Sequence, residues 1–517
     1  MWCIGRMRSV TSLLLALAVT ACLVLATSAA PRRGGTLRIA EIGEPLTLDD
    51  VATTATQTSN IMHGVFEELL AFDAAWRVQP MLADSFEASR DGLTYTFKLR
   101  KGVRFHNGKE LTSEDVVASV NRWGKVSPRG TLAFKSVDSV SGPDKYTVVI
   151  KLKEPFAPLS AFLAYPNGAA AIMPKEIVDA TGGGQLKQYI GTGPYKFVEW
   201  VPDRHVKLVR FDAYQARSEA ASLYAGKREA LVDEVYFYPV GQIATRTAGI
   251  QSGDYDLADQ TPSSDAYQQF KKDPRVVVEP IRPGDFLTFF FNKKQGIMTN
   301  EKLRQAVEVA LDMQPIMRAT FGDPELFSLG PSIYPKGTPW YTEAGQQWYN
   351  VHDPAKAKQL MKEAGYNGEP VRWLTTQQYD YMFKSTVVAA AQLQHVGFKV
   401  NMQVLEWAGV LDHRGKPADY DLFTTSHGFV ADPALITVFS STYPGWWDSA
   451  EKNQVFAQFT QTTDPGARTR IWSKLQSLWY AQVPLVRPGE YYTLYMRSKS
   501  LQGFHASNFI VVWNVQK

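Results

Sequence analysis

Cysteine is almost absent from this chain: there are 2, Cys3 and Cys22, both close to the N-terminus. Past that point no disulfide framework and no thiolate chemistry can be built. Catalytic signatures are missing as well. No G-x-S-x-G, H-E-x-x-H or C-x-x-C pattern occurs, which lowers the case for an enzyme, although catalytic residues can lie far apart in a chain. The 8 histidines (His63, His106, His205, His352, His395, His413, His427 and His505) are scattered without the spacing of metal ligands. Charge of one sign is also lacking. The formal balance of +4 falls to +2 without Arg6 and Arg8 of the leader, so neither nucleic acid nor an anionic membrane surface is an electrostatically favoured partner.

What is present is an ordinary globular composition, 45% hydrophobic and 21% charged, over 517 residues, enough for two or three packed domains. Aromatic residues are plentiful, with 13 Trp and 23 Tyr. Residues 1–30 read as a secretory signal peptide: a basic Arg6 and Arg8 region, an apolar run from Leu13 to Ala26, and small residues for cleavage in "ATSAAP". Met7 would serve equally as a start. A membrane anchor needs about 20 unbroken apolar residues, more than this run supplies. "VTAC" ending at Cys22 resembles a lipoprotein box, giving a lipid anchor there as an alternative, but the apolar "LVLA" continues past it.

Periodicity organises the body of the chain. "GGTLRIAEIG", "LTYTFKLRKGVRF" and "DKYTVVIKLKEPF" alternate as strands do. "TSNIMHGVFEELLAFD" places Ile61, Val65 and Leu69 at helical spacing, predicting an amphipathic helix. "NEKLRQAVEVALDMQPIM" and "DPAKAKQLMKEAGY" also read as helices, and "STVVAAAQLQHVGFKVNMQVLEW" as helix, Gly397, strand. "FHNGKELTSEDV" collects a histidine, a lysine and acids, yet each feature matches a folding signal. Asn107-Gly108 makes a turn, Thr112 and Asp115 a capping box, Leu111 and Val116 a hydrophobic staple. His106 alone has no local structural role there. "IGTGPYKFVEW" lacks both phosphate-loop spacings and reads as a turn entering a strand.

Two echoes recur. "QSGDYDLAD" and "KPADYDLFT" each place D-x-D (Asp254 and Asp256; Asp419 and Asp421) before an apolar strand; such pairs can seat a metal but more often cap and solvate turns. "IRPGDF" at 281–286 and "VRPGEY" at 486–491 each put Pro-Gly and an acid between apolar segments, the pattern of a chain crossing twice between two α/β lobes with a ligand cleft between them.

The segment "ADSFEASRDGLTYTFKLRKGVRFHNGKELTSEDVVASV" resembles the signature region of the family 5 extracellular solute-binding proteins, the oligopeptide, dipeptide and nickel binders of bacterial ABC transporters. The likeness continues through "GTGPYKFVEW", "FFFNKKQG" with "LRQAVEVALD", "LQHVGFKV" and "DYDLFTTSHGFVADP". It implies an α/β, bilobal periplasmic-binding-protein fold of class II type with an extra domain on the first lobe. Residues 34–61, 190–283 and 489–517 would form lobe I, 62–189 the extra domain, and 284–488 lobe II, with "FHNGKELTSEDV" away from the ligand. The implied function is capture of a peptide or peptide-like solute between closing lobes in the periplasm, by a monomer that delivers it to a membrane permease, with no cofactor, metal or nucleic acid involved. An oligosaccharide, opine or nickel-complex binder is the alternative within the family, and a secreted hydrolase the alternative outside it.

The family pattern breaks at the substrate. Dipeptide binders carry a Gly-Trp-Thr-Gly-Asp-Asn-Gly-Asp-Pro run whose first aspartate holds the ligand's amino group; an ungapped count puts Phe429 there, and Thr376 where they offer an arginine. Trp407 matches a pocket aromatic of those relatives. The resulting ligand-binding candidates are Glu44, Gln378, Tyr379, Trp407, His427, Phe429, Trp446 and Trp447. Amides beside aromatic planes suit peptide backbones and sugar rings alike.

Overall fold

The computed structural model describes residues 33–259 and 264–517. The signal peptide and Cys22 expected from the sequence lie outside them. Among the described residues no helix is long and apolar enough to cross a membrane.

Two large sheets dominate. In the first, Thr36–Glu41 lies parallel to both Glu234–Pro239 and Leu257–Ala258. Antiparallel strands extend it on either side: His205–Arg210 and Tyr195–Val201 on one, Leu494–Ser498 and Val276–Pro280 on the other. The second is built on Asp285–Phe291, whose run of Phe286, Leu287, Phe289, Phe290 and Phe291 is buried on both faces. It pairs antiparallel with Leu422–His427, Leu485–Val486 and Glu490–Tyr491. Pro370–Thr375 and Lys399–Val404 complete the parallel part. Full burial explains why this strand reads as continuous rather than alternating hydrophobicity. A four-stranded antiparallel sheet (Ala83–Ala88, Thr94–Leu99, Thr147–Leu152 and Val137–Asp144) with the helix Ser113–Val126 forms a separate layer.

The chain passes between the large sheets twice. It leaves the first after Pro280 and enters the second at Asp285; it returns between Tyr491 and Leu494. The return falls later than the sequence boundary at 488, because Glu490–Tyr491 still pairs with Asp285–Phe291. The crossings touch: Ile281 N donates to Thr493 O at 2.8 Å. A Cβ on Gly284 would meet Tyr491 O at 2.2 Å, so a side chain there would drive the crossings apart.

Both D-x-D echoes have one structural use. Asp256 accepts from Arg38 N at 2.8 Å and pairs with the Arg38 guanidinium; Asp421 accepts from Arg372 N at 2.9 Å and pairs with the Arg372 guanidinium at 3.0 Å. In each sheet the aspartate at the mouth of one strand fastens its parallel neighbour by a backbone and a side-chain donor.

Two expected helices are shorter. The segment after Met62 is not helical, although the spacing of Val65 and Leu69 allows it: the helix is Thr56–Met62. The next carbonyls are taken by the "GTGP" turn, with Gly193 N donating to Val65 O and Tyr195 N to Gly64 O, each at 2.9 Å. Cβ atoms on Gly191 or Gly193 would meet Val65 O at 2.1 Å and Gly64 O at 2.5 Å. The helix of 301–310 ends before Asp312, whose side chain caps a second helix, Met313–Phe321.

"FHNGKELTSEDV" is scaffold. Thr112 and Asp115 form the capping box, and Asp115 also accepts from Lys109 Nζ at 2.6 Å and Lys175 N at 2.8 Å. His106 clamps the "GTGP" turn: Nδ1 accepts from Gly191 N at 3.3 Å, so Nε2 is the donor to Gly193 O at 3.0 Å. That arrangement needs a neutral ring, and burial lowers the His106 pKa from 6.5 to about 4.

Two predictions follow from these contacts. Asp421→Ala, which strands Arg372, should lower unfolding free energy by about 3 kcal/mol in denaturant titration, whereas Asp419→Ala, at an exposed pair with His413, should cost less than about 1 kcal/mol; equal effects would contradict the strand-fastening role. Because folding lowers the His106 pKa, its clamp is fully stabilising above the ordinary value of 6.5 and is lost as pH falls from there through about 4. His106→Gln should therefore remove up to about 3 kcal/mol of the wild-type stability loss across that window; parallel pH curves for the two proteins would refute it.

Candidate functional site

Between the two large sheets lies a cavity of about 1010 Å³. Its floor is the crossings themselves: Ile281, Pro283, Gly284 and Asp285 from the first, Thr493 from the second. One wall comes from the second sheet and the loop after it, including Phe286, His427, Phe429, Ile436 and Tyr443. The other comes from the first lobe and from residues 128–167 of the segment expected as an extra domain, notably Arg129, Phe162, Tyr165 and Asn167, with Asn508 and Phe509. The extra domain is thus part of the cavity wall, while residues 105–116 within it stand clear.

His427 and Phe429 are the two sequence candidates that line this cavity. The His427 ring stacks on Phe286 with centroids 5.5 Å apart, Nε2 lies 3.2 Å from Tyr443 Oη, and Nδ1 is buried without a partner among the described residues. Burial, reinforced by the nearby Arg414 charge, lowers its pKa from 6.5 to about 4 and keeps the ring neutral. Phe429 ties the cavity walls together. Its ring packs on Trp76 at 4.6 Å and Tyr334 at 5.8 Å, and its carbonyl accepts from Tyr165 Oη at 3.1 Å.

The other candidates are placed elsewhere. Gln378, Tyr379 and Trp407 form their own cluster: Gln378 Oε1 accepts from Trp407 N at 2.7 Å, and the Tyr379 and Trp407 rings meet edge to face at 5.3 Å. Arg414 joins that cluster to the cavity, lying 6.0 Å from the Trp407 ring and 5.7 Å from that of Tyr443. Glu44 accepts from Trp200 Nε1 within the first lobe. Trp447 is core, 3% exposed, with its Nε1 donating to Gln482 and its ring against Phe439 and Trp479. Trp446 lies beneath Lys294 beside a different cavity of about 690 Å³. Trp447 also borders that second cavity, and neither tryptophan lines the cleft. Thr376 is buried and bonds to Gln378 N.

Most of the cavity lining escaped the sequence reading, including its two charged residues. Among the described lining residues, Arg129 and Asp285 alone carry an ionisable acid or strong base, and neither belongs to an ion pair among the described residues. Arg129 rests on the Tyr165 ring at 4.1 Å and spends Nε and Nη2 on Asn167. Asp285 lies close to the Phe429 backbone and to Tyr491; burial, with Glu490 nearby, raises its pKa from 3.8 to about 6. No motif marks Arg129 in the sequence; Asp285 was visible as the acid of "RPGDF" but read only as part of a crossing.

This architecture has counterparts. A probable peptide ABC transporter periplasmic-binding protein of Sinorhizobium fredii is 28% identical over 487 residues, covering 91% of each chain. The structure of the binding protein AgaA in complex with agropinic acid, from A. tumefacien R10, is 26% identical, superposes with a TM-score of 0.73, and covers 93% of this chain and 98% of that one. The substrate-binding protein CtaP of Listeria monocytogenes shares the fold at a TM-score of 0.80 with 23% identity, over 91% of this chain and 96% of that one. Residues 77–447 match the model of the bacterial extracellular solute-binding proteins, family 5 middle region. From the floor of paired crossings to the cleft above it, this chain belongs to the family 5 bacterial extracellular solute-binding proteins.

Proposed function

We propose that the chain captures a peptide or peptide-like solute outside the cytoplasm and presents it to the membrane permease of an ABC importer. The observation that carries this is the cavity of about 1010 Å³ lined from both lobes and floored by the crossings: a solute seated there touches both halves, so binding favours the arrangement in which they close on it. Its walls suit peptide side chains, with Phe162, Phe286, Phe429, Phe456 and Phe509 offering apolar contact and Asn508, Thr437 and Tyr443 offering polar groups. The relative from Sinorhizobium fredii, named as a peptide ABC transporter protein, supports the same class. In this reading the protein acts as a monomer and releases its solute chemically unchanged.

An opine is the second reading, favoured by the likeness to the agropinic acid complex. Refolded protein, stripped of carried ligand, should show a thermal shift with pools of short peptides: a binder at a hundred times its dissociation constant stabilises by about 2.7 kcal/mol. A shift with agropinic acid alone would transfer the site to opines, one with oligosaccharides alone would remove the peptide reading, and turnover of any bound compound would make the protein a hydrolase.

A further inference from the structure

The layer that carries Arg129 and Tyr165 is bound unequally to the two lobes. Buried polar groups fasten it to the first: Arg122 pairs with Asp49, Ala169 N donates to Asp50 O at 3.1 Å, and Arg217 Nη1 donates to Met81 O at 2.9 Å and Ala83 O at 2.8 Å. It meets the second lobe along a thinner seam. Ala157 N donates to Thr460 O at 2.7 Å, Tyr165 Oη donates to Phe429 O at 3.1 Å, and the Trp76 and Phe429 rings lie 4.6 Å apart. Gly92 closes against Thr463, where a Cβ on the glycine would come within 2.6 Å of Thr463 Cγ2. Tyr165, Phe429 and Phe456, the last on the helix that holds Thr460, also line the cavity. Seam and crossings therefore border one space.

Magnitudes decide which side of the layer gives way. Neutral hydrogen bonds are exchanged for bonds to water when two surfaces part, so each seam bond shifts an open–closed equilibrium by only about fivefold. Breaking the buried Asp49–Arg122 pair costs far more. The layer accordingly moves with the first lobe. Every seam contact joins protein to protein, so it favours closure whether or not a solute is seated. We propose that the layer is a clasp: Ala157 and Tyr165 hold Thr460 and Phe429 of the second lobe, and release of that hold governs how often the cleft opens to exchange its solute. The fraction of molecules with the clasp released then scales the apparent affinity. This holds for any solute the cavity takes.

Hydrogen–deuterium exchange on refolded protein stripped of carried solute reads the two joints separately, since Ala157 N–H reports the clasp and Ile281 N–H the crossings. In the wild type both should be protected, with Ala157 exchanging faster because the clasp parts while the crossings stay folded. Tyr165→Phe keeps the ring and removes the hydroxyl; it should speed Ala157 exchange about fivefold and leave Ile281 unchanged. Thr463→Trp, a wedge against Gly92 outside the cavity lining, should act in the same direction. The doubly substituted protein should also be larger than wild type by small-angle X-ray scattering. An unprotected Ala157 in the wild type, or Ala157 and Ile281 exchanging together in all the proteins, would overturn the clasp. Faster Ala157 exchange with unchanged scattering in the double variant would reduce it to local fraying and overturn it too. A variant that fails to fold loses Ile281 protection as well, and the two wild-type rates still decide.

Discussion

The two crossings between the sheets are packed against each other, and the site depends on that contact. Ile281 donates to Thr493 across them, and Gly284 lies where any side chain would strike Tyr491. Two strands in contact define an axis, whereas two separate tethers would leave the lobes free to slide. The same few residues then floor the cavity, because the strand that begins at Asp285 starts where the crossing ends. Hinge and binding floor share atoms, so a solute resting on Asp285 acts on the joint as well as on the walls.

Most of the architecture was legible because local signals agreed with it. The alternating strands, the capping box at Thr112, the helix of "DPAKAKQLMKEAGY" and the helix end at Gly397 appear where the sequence puts them. The failures share a cause. The segment from His63 to Leu69 is buried on every side, so helical spacing of its apolar residues carried no directional information; the glycines of "GTGP" claimed its carbonyls instead. Trp447 illustrates the same limit at the site. An aromatic beside a cleft-like motif looks identical in sequence whether it faces ligand or core, and here Gln482 and Trp479 take it inward.

The site itself was half legible. His427 and Phe429 were reachable because they lie on one strand end of the second lobe, where the family motif could be counted. Arg129 was not, because it comes from a segment more than a hundred residues from the crossing and acts through a fold-dependent stack on Tyr165. A charge that lacks a partner is invisible to pattern reading, which finds pairs and repeats; its isolation becomes visible only when the surrounding shell is known.

That shell changes how specificity should be located. By the ungapped count along the sequence, the second lobe has no acid at Phe429 and no arginine at Thr376, which taken alone argues against charged ligand ends. The cavity nevertheless contains one acid and one strong base, the acid at the first crossing and the base on the layer attached to the first lobe. Phe429 joins the cavity walls, since its carbonyl accepts from Tyr165 while its ring packs against Trp76 and Tyr334. An acid at 429 would have to bury its own charge among Trp76 and Tyr334. The apolar ring at 429 and the contact it makes across the cavity wall are therefore one requirement: the position packed between Trp76 and Tyr334 has to stay uncharged.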